Sequence, residues 1–172
     1  MEKVKARLFK NTVSTNDSNA FTLQKKSSFG EKSGEKIVYS LSEAMYLVEK
    51  DKIEVLQKDN PLERAELFRK LQNADKRFSI KYPVFRYLRD QGYVVKTALK
   101  FGADFRVYGK GKPPGKAHSK WIVFCQHETE NLSWQNFSAK NRVAHSTNKN
   151  LLLAIVDEEN DVTFYEVSWI QP

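Results

Sequence analysis

Two residues that can transfer protons lie close together in the middle of the chain. Tyr108 precedes a glycine and several lysines, and His118 follows a proline- and glycine-containing stretch. An imidazole with an ordinary pKa near 6.5 changes state around neutral pH, whereas a phenol with a pKa near 10 is a reluctant base. Metal-free cleavage of RNA requires a base for the 2′-hydroxyl, an acid for the departing 5′ oxygen and a cation for the phosphate. Each residue is also common in purely structural positions, so the pair alone leaves the function open.

The segment that carries both residues is strongly basic. Residues 105–120 contain five cations and a single histidine but no acidic residue; the cations are Arg106, Lys110, Lys112, Lys116 and Lys120. Such a distribution is typical of a phosphate-binding surface, with Lys110 and Lys116 as candidate RNA-binding residues. A solvated basic loop is the alternative interpretation of the same pattern.

Metal chemistry is less well supported by the sequence. Cys125 and His127 are the only close pair of potential ligands, and alternation along a strand places them on one face. Two ligands without two more do not make a zinc site, and Asp104 is expected to end a turn. We therefore predict neither a metal site nor a cofactor.

The first part of the chain predicts a small mixed subdomain, residues 1–77. Residues 11–36 are polar and suggest short strands and loops. Ser40 and Glu43 have capping-box spacing at the start of a first helix, and residues 53–56 suit a short strand. Asn60 and Pro61 are expected to cap and open a second helix.

The remainder, residues 78–172, predicts a sheet with flanking helices. Pro83 is expected to begin a helix that ends near Gly92. β-branched and aromatic residues dominate segments 93–99, 105–108 and 120–125, which indicates strands. A helix over 134–145 and a hairpin of 151–156 with 162–170 complete the subdomain. The fold class is therefore α+β, with a central mixed β-sheet in the second subdomain.

Composition and charge narrow the classes of protein that fit. The 172 residues carry 29 Lys+Arg and 21 Asp+Glu, a net charge of +8, and 40% of them are hydrophobic. This apolar content argues against a disordered chain, and the apolar runs are too short to span a membrane. The polar start, Met1 to Lys5, does not resemble a signal peptide, and the lone cysteine fits a reducing cytoplasm.

The order and spacing of several motifs favour a functional interpretation of Tyr108 and His118 over a purely structural one. The segments concerned are 92–97, 100–108, 118–119 and 142–146, followed by Lys149 and 151–157; they include Phe105-Arg106-Val107-Tyr108 and Arg142-Val143-Ala144-His145-Ser146. Together they resemble the catalytic half of archaeal tRNA-splicing endonucleases over about half the chain, from residue 82 onward. The helix at residues 40–48 resembles the N-terminal subdomain of that family more loosely, and residues 11–36 show no clear match.

The resemblance implies a catalytic triad of Tyr108, His118 and Lys149. In the family, the tyrosine deprotonates the 2′-hydroxyl, the histidine protonates the 5′ oxygen and the lysine stabilises the transition state. The implied products are a 2′,3′-cyclic phosphate and a 5′-hydroxyl, formed without a metal. The residues of this chain do not by themselves decide whether Tyr108 or His118 is the base.

Further RNA contacts are implied by the same resemblance. Arg142 matches an arginine that pinches a bulged base, and Phe164 lies near the other half of that clamp. Arginine and aromatic planes both stack on unpaired bases, although Phe164 also suits a packed strand position. The family usually has a basic residue where Asn148 stands, and His145 is interpreted as structural.

The resemblance also implies a substrate and an assembly. The substrate is precursor tRNA with a bulge-helix-bulge, and the chain self-associates to a dimer or tetramer, with Glu128 and Glu130 as a candidate acidic docking loop. A homotetramer is the first expectation, and a heterotetramer with a paralogous structural subunit is the second. Two other functions remain open: a non-catalytic RNA-binding subunit, and a metal-dependent nuclease of related architecture.

Overall fold

The computed structural model describes residues 3–172, so Met1 and Glu2 of the polar start lie outside the described residues. The chain forms two compact units, Met1–Ser79 and Ile80–Pro172. The boundary predicted after residue 77 remains a prediction. No helix among the described residues is long and apolar enough to cross a membrane.

The first unit is built on a six-stranded sheet. Its strands are β1 (Val4–Phe9), β2 (Thr12–Thr15), β3 (Glu31–Ser33), β4 (Lys36–Tyr39), β5 (Ile53–Gln57) and β6 (Asn60–Pro61). They lie in the order β3-β4-β2-β1-β5-β6, and β1 and β5 form the parallel pair. The helices are α1 (Ser18–Ser27), α2 (Leu41–Glu49) and α3 (Arg64–Ala74).

The capping box predicted for α2 is confirmed. The Ser40 hydroxyl accepts a hydrogen bond from the Glu43 backbone N–H at 3.3 Å, and the Glu43 carboxylate accepts one from the Ser40 N–H at 2.9 Å. The second Glu43 oxygen accepts a bond from the Gly30 N–H at 3.0 Å. A carboxylate that is only 3% exposed thus has its charge satisfied by backbone and hydroxyl donors.

Three local expectations in the first half of the chain were wrong. Helix α1 lies within residues 11–36; Asp17 caps it, but only Ala20 is buried, so it has no apolar period to detect. Asn60 and Pro61 pair with β5 instead of opening α3, because Lys58 and Asp59 both adopt positive φ and close a tight hairpin.

Pro83 does not begin the next helix either. Helix α4 (Phe78–Asp90) contains Pro83 in its interior. The fixed φ of proline is compatible with a helix, and the burial of Val84, Phe85 and Leu88 outweighs the hydrogen bond that the proline cannot donate. Gly92 has φ +88 after the helix end, as predicted.

The second unit contains a five-stranded mixed sheet. Its strands are β7 (Val94–Ala98), β8 (Ala103–Tyr108), β9 (Trp121–His127), β10 (Asn150–Val156) and β11 (Val162–Val167), in the order β11-β10-β9-β8-β7. Only β9 and β10 are parallel, and helix α5 (Trp134–Ser146) connects them. The crossover, the terminal hairpin and the α+β class agree with the sequence-based expectations.

Helices cover both faces of this sheet. On one face Ala144 of α5 belongs to an apolar cluster with Ile122, Phe124, Leu151 and Leu153. On the other face the Phe85 ring of α4 lies 5.8 Å from the Phe105 ring of β8. Burial on both faces explains the nearly continuous apolar run in β10.

Candidate active site

The predicted catalytic residues meet at one end of strands β8, β9 and β10 because of the register of the second sheet. Val107 of β8 pairs with Trp121 of β9, and Trp121 pairs with Asn150 of β10. Tyr108 directly follows Val107 and Lys149 directly precedes Asn150. Tyr108 and Lys149 therefore both lie one position beyond this row of paired residues, although they are far apart in the chain.

A cavity of about 360 Å³ lies at this end of the strands. Its lining includes all three predicted catalytic residues and one predicted RNA-binding lysine; the full set is Phe101, Arg106, Tyr108, Gly115, Lys116, Ala117, His118, Ser119 and Lys149. Its size falls within the range of about 300–1,000 Å³ typical of ligand sites. Tyr108, His118 and Lys149 thus lie around one cavity, as the sequence-based hypothesis requires.

Tyr108 is held in place by the sheet. It is the last residue of β8, pairs with Val94 of β7 and is only 5% exposed, so a small part of its surface faces the cavity. The Arg106 guanidinium carbon lies 5.9 Å from the centre of its ring. A buried ring and a nearby cation give a fixed phenol in a positive environment.

His118 lies on the loop between β8 and β9. The loop turns at Gly115, which has φ +86, and forms a bridge between Pro114 and Ala117. The Lys120 N–H donates to the Val107 carbonyl at 2.7 Å and anchors the loop end to the sheet. The exposed His118 ring is thereby presented to the cavity from a loop whose far end is fixed.

Lys149 follows a tightly terminated helix. The Lys149 N–H donates to the Ala144 carbonyl at 2.9 Å, and the Asn148 N–H donates to the His145 carbonyl at 2.9 Å. With Asn148 in the left-handed conformation at φ +58, these bonds form a Schellman motif. Asparagine tolerates the left-handed conformation better than most residues. At the position where the family usually has a basic residue, Asn148 therefore stabilises the turn that ends α5.

The Lys149 side chain is held from the same turn. Its ammonium donates to the Thr147 carbonyl at 2.7 Å and lies 6.0 Å from the centre of the Phe101 ring. The carbonyl end of a helix carries partial negative charge, which favours a cation there. The ammonium is thus positioned in the cavity without a carboxylate partner among residues 3–172.

The electrostatic character of the cavity is positive. Arg106, Lys116 and Lys149 line it together with His118, and no aspartate or glutamate is among the lining residues. Such a surface attracts an anion and disfavours a carboxylate-bound metal ion.

The remaining predicted RNA-binding residues lie outside the cavity lining. Arg142 is exposed on α5, whereas the Phe164 ring lies 5.1 Å from Tyr87 of α4, on the opposite face of the sheet. A single chain does not bring Arg142 and Phe164 together. The Lys110 ammonium lies 5.3 Å from the centre of the Tyr93 ring, in the loop after β8.

The candidate metal ligands have other surroundings in the structure. Cys125 is buried, and its backbone N–H donates to Asp104, which also lies 3.6 Å from the Lys81 ammonium. Asp104 therefore lies within β8 and does not end a turn. Among residues 3–172, no group of three or more His, Cys, Asp and Glu side chains is placed to hold a metal ion.

Sequence reasoning did not select five of the nine cavity residues, which are Phe101, Arg106, Gly115, Ala117 and Ser119. Arg106 had a detectable signal, because side chains two positions apart on a strand share a face and Tyr108 was already a candidate. Phe101 enters from a short 3₁₀ helix, Leu99–Phe101, and the other three from the loop between β8 and β9, and the sequence offers no period for either connection.

Comparison with known proteins agrees with this geometry. Residues 78–164 match the catalytic C-terminal domain of the tRNA intron endonucleases, and residues 4–68 match their N-terminal domain. The chain belongs to the tRNA intron endonuclease family. The family expected from the motifs is thus confirmed, and the catalytic-domain match confirms the expected enzyme class, an endoribonuclease.

Individual members of the family are similar over most of their length. A tRNA-splicing endonuclease of Pyrococcus abyssi is 47% identical over 143 residues, which cover 83% of this chain and 82% of the relative. Another, of Nanoarchaeum equitans, is 46% identical over 77% of this chain and 88% of the relative. A third, of Thermococcus gammatolerans, is 44% identical over 92% and 94%, respectively.

Proposed function

We propose that this family member excises introns from precursor tRNA at bulge-helix-bulge sites by a metal-independent reaction. The single observation that carries the proposal is the meeting of Tyr108, His118 and Lys149 in one cavity whose lining is positive. These three side chains supply a base, an acid and a cation, which is the full set of groups that the reaction requires.

In the proposed reaction the 2′-oxygen attacks the adjacent phosphorus while Tyr108, acting as its phenolate, accepts the 2′ proton and becomes the neutral phenol. A P–O bond forms to the 2′-oxygen and the P–O bond to the 5′-oxygen breaks. His118 gives its proton to the departing 5′-oxygen, and the Lys149 ammonium stabilises the charge on the phosphorane oxygens. The products are a 2′,3′-cyclic phosphate and a 5′-hydroxyl, so no water is consumed in the step.

The test uses pure protein, a bulge-helix-bulge RNA and EDTA. We expect cleavage by the unmodified chain and loss of cleavage, with RNA binding retained, in His118→Ala and Lys149→Ala. His127→Ala and Lys25→Ala remove the same side-chain types outside the cavity and serve as matched controls. Mass spectrometry of the fragments identifies the ends, and 3′-phosphate or 5′-phosphate ends formed at once would contradict the mechanism.

The same experiment distinguishes the alternative, a non-catalytic subunit of a heteromeric endonuclease. Such a chain binds the RNA and leaves it uncut until a second protein is added. A cleavage activity that disappears in EDTA and returns with a divalent cation would instead favour a metal-dependent nuclease.

We also propose self-association, as a homotetramer in the first instance. Strand β11 lies at the edge of the sheet, and Tyr165 on it is 57% exposed, which leaves apolar surface for a partner copy. A base clamp made from Arg142 and Phe164 would then combine residues of two chains. Native mass spectrometry tests the assembly, and a monomer at micromolar concentration would contradict it.

The acidic-loop part of the assembly proposal has a competing role for its carboxylates. Glu130 accepts hydrogen bonds from the Gln126 side chain at 2.6 Å and the His127 N–H at 3.0 Å, and Glu128 accepts one from the Glu158 N–H at 3.3 Å. The docking role of this loop stays a prediction, as does the location in a reducing cytoplasm.

A further inference from the structure

A guanidinium outside the predicted triad also faces the cavity. Arg106 lies two residues before Tyr108 on β8, and strand alternation places both side chains on the same face. Both residues line the cavity together with His118 and Lys149. Arg106 is therefore near the position that the proposed reaction assigns to the cleaved phosphate.

The hydrogen-bonding state of this guanidinium is unusual. Its Nε is buried and has no acceptor within the described residues, and no carboxylate there forms an ion pair with it. An unsatisfied buried donor costs about 1–3 kcal/mol, and more when the group is charged.

An incoming phosphate would give this guanidinium an anionic partner. The planar fork of arginine matches two oxygens of a phosphate and binds them with charge-assisted hydrogen bonds. Phosphate oxygens gain negative charge on the way to the phosphorane, so a fixed cation stabilises the transition state more than the ground state.

We propose that Arg106 binds the scissile phosphate of the RNA and stabilises its charge during cleavage, as a second cation beside Lys149. The proposal rests on the proposed function, because it takes the occupant of the cavity to be an RNA phosphodiester. The guanidinium beside Tyr108, whose Nε has no acceptor and which pairs with no carboxylate among residues 3–172, carries it.

Arg106→Met is the informative variant, because methionine keeps an apolar stem and removes the buried, unpaired donor. We expect kcat to fall about 10²-fold, as for loss of one donor to a transition-state oxyanion, with a much smaller change in KM. The melting temperature should stay equal or rise. A merely structural arginine predicts the opposite pattern, a lower melting temperature with unchanged kcat.

Binding gives a second readout that does not depend on cleavage. A bulge-helix-bulge RNA with 2′-deoxyribose at the cleaved linkage lacks the attacking oxygen and stays intact. Loss of one phosphate contact should reduce the slope of log Kd against log salt concentration by about 1. Arg7→Met is the matched control for net charge, since Arg7 is exposed and pairs with Asp59 at 2.9 Å; we expect wild-type kcat and slope.

Wild-type kcat and salt slope in Arg106→Met overturn the proposal. If Arg106→Met melts early, Arg106→Lys decides: recovery of kcat with the conserved charge supports phosphate binding, whereas equal losses of kcat and stability in both variants assign the arginine to folding. If the unmodified chain binds the RNA but does not cut it, the proposed cleavage is refuted, and the salt slope still decides whether Arg106 contacts a phosphate.

Discussion

Replacement of Asn148 tests whether the end of α5 positions the candidate catalytic lysine. Asn148 adopts φ +58, and the Lys149 N–H that follows it is bonded to the Ala144 carbonyl at 2.9 Å. Valine disfavours positive φ because of its branched β-carbon, whereas glycine adopts it freely. Asn148→Val and Asn148→Gly remove the same amide and differ in the strain that they place on this turn.

The expected magnitude follows from the cost of the left-handed conformation. An ordinary L-residue pays about 1–2 kcal/mol there, and asparagine pays less. If the turn keeps its shape in Asn148→Val, the melting temperature falls by roughly 2–8 °C for a chain of this size. If the turn opens instead, the ratio of turns with Lys149 in place to opened turns falls by a factor of about 5–30, and kcat falls with the population that keeps Lys149 in place.

The assay combines thermal melting with single-turnover cleavage of a bulge-helix-bulge RNA. Asn148→Gly should match or exceed the stability of the unmodified chain and keep its cleavage rate. If Asn148→Val leaves both the melting temperature and the rate unchanged, the Schellman turn does not control Lys149. If both variants lose activity equally, the lost amide is responsible and the strain argument is wrong.

Three further predictions concern stability. Ser40→Ala removes the capping-box acceptor of α2 and should cost about 0.5–2 kcal/mol in a urea melt; a change below that range would mean that Glu43 caps the helix alone. Tyr39→Phe removes a buried hydroxyl that has no hydrogen-bond partner within residues 3–172, and it should raise the melting temperature by about 2–4 °C; a lower melting temperature would contradict the absence of a partner. Hydrogen bonds from Asn150 and then Trp121 hold the pKa of Glu166 below its usual value, so its stabilising contribution is present above that value and is lost as pH falls through the lowered pKa. The stability gap between Glu166→Gln and the unmodified chain should therefore narrow in acid, and a gap that is constant with pH would exclude the linkage.

The parts of the fold that the sequence predicted well are those with a strong apolar period or a complete cap. Helix α2 and strands β7 to β10 each bury a continuous row of side chains. Helix α5 buries only Ala144, but Ser133 caps it and the partly buried Phe137 and Val143 pack on the same apolar cluster. Helix α1 also buries a single alanine, and its only clear signal is Asp17. The helix start predicted at Asn60 and Pro61 was wrong because the same pair of residues also suits an edge strand. The positive φ of Lys58 and Asp59, which closes the hairpin before them, decides between the two structures.

The site was predictable as a set of residues and not as a geometry. Tyr108 and His118 stand out by type and by the basic segment around them, whereas Lys149 has no local signal and enters through its place in a family motif. Arg106 was within reach of strand alternation, but its significance depends on whether a carboxylate lies nearby. That question is answered only by tertiary structure, which places no acidic side chain in the cavity lining.

The geometry of the site follows from strand register, which is fixed by burial far from the chemistry. A slip of β10 by one residue would turn Leu151 and Leu153 away from the apolar cluster that they share with Ile122 and Phe124. Side-chain hydrogen bonds also stabilise the pairing of Trp121 with Asn150. The Glu166 carboxylate accepts one from the Trp121 indole at 3.0 Å and another from the Asn150 side-chain amide. Since Lys149 precedes Asn150 and Tyr108 follows the partner of Trp121, any force that holds this pairing also sets the separation of the two residues. The core of the sheet thus determines where the phenol and the ammonium stand, and the loop that carries His118 has only to close over a site that the strands have already defined.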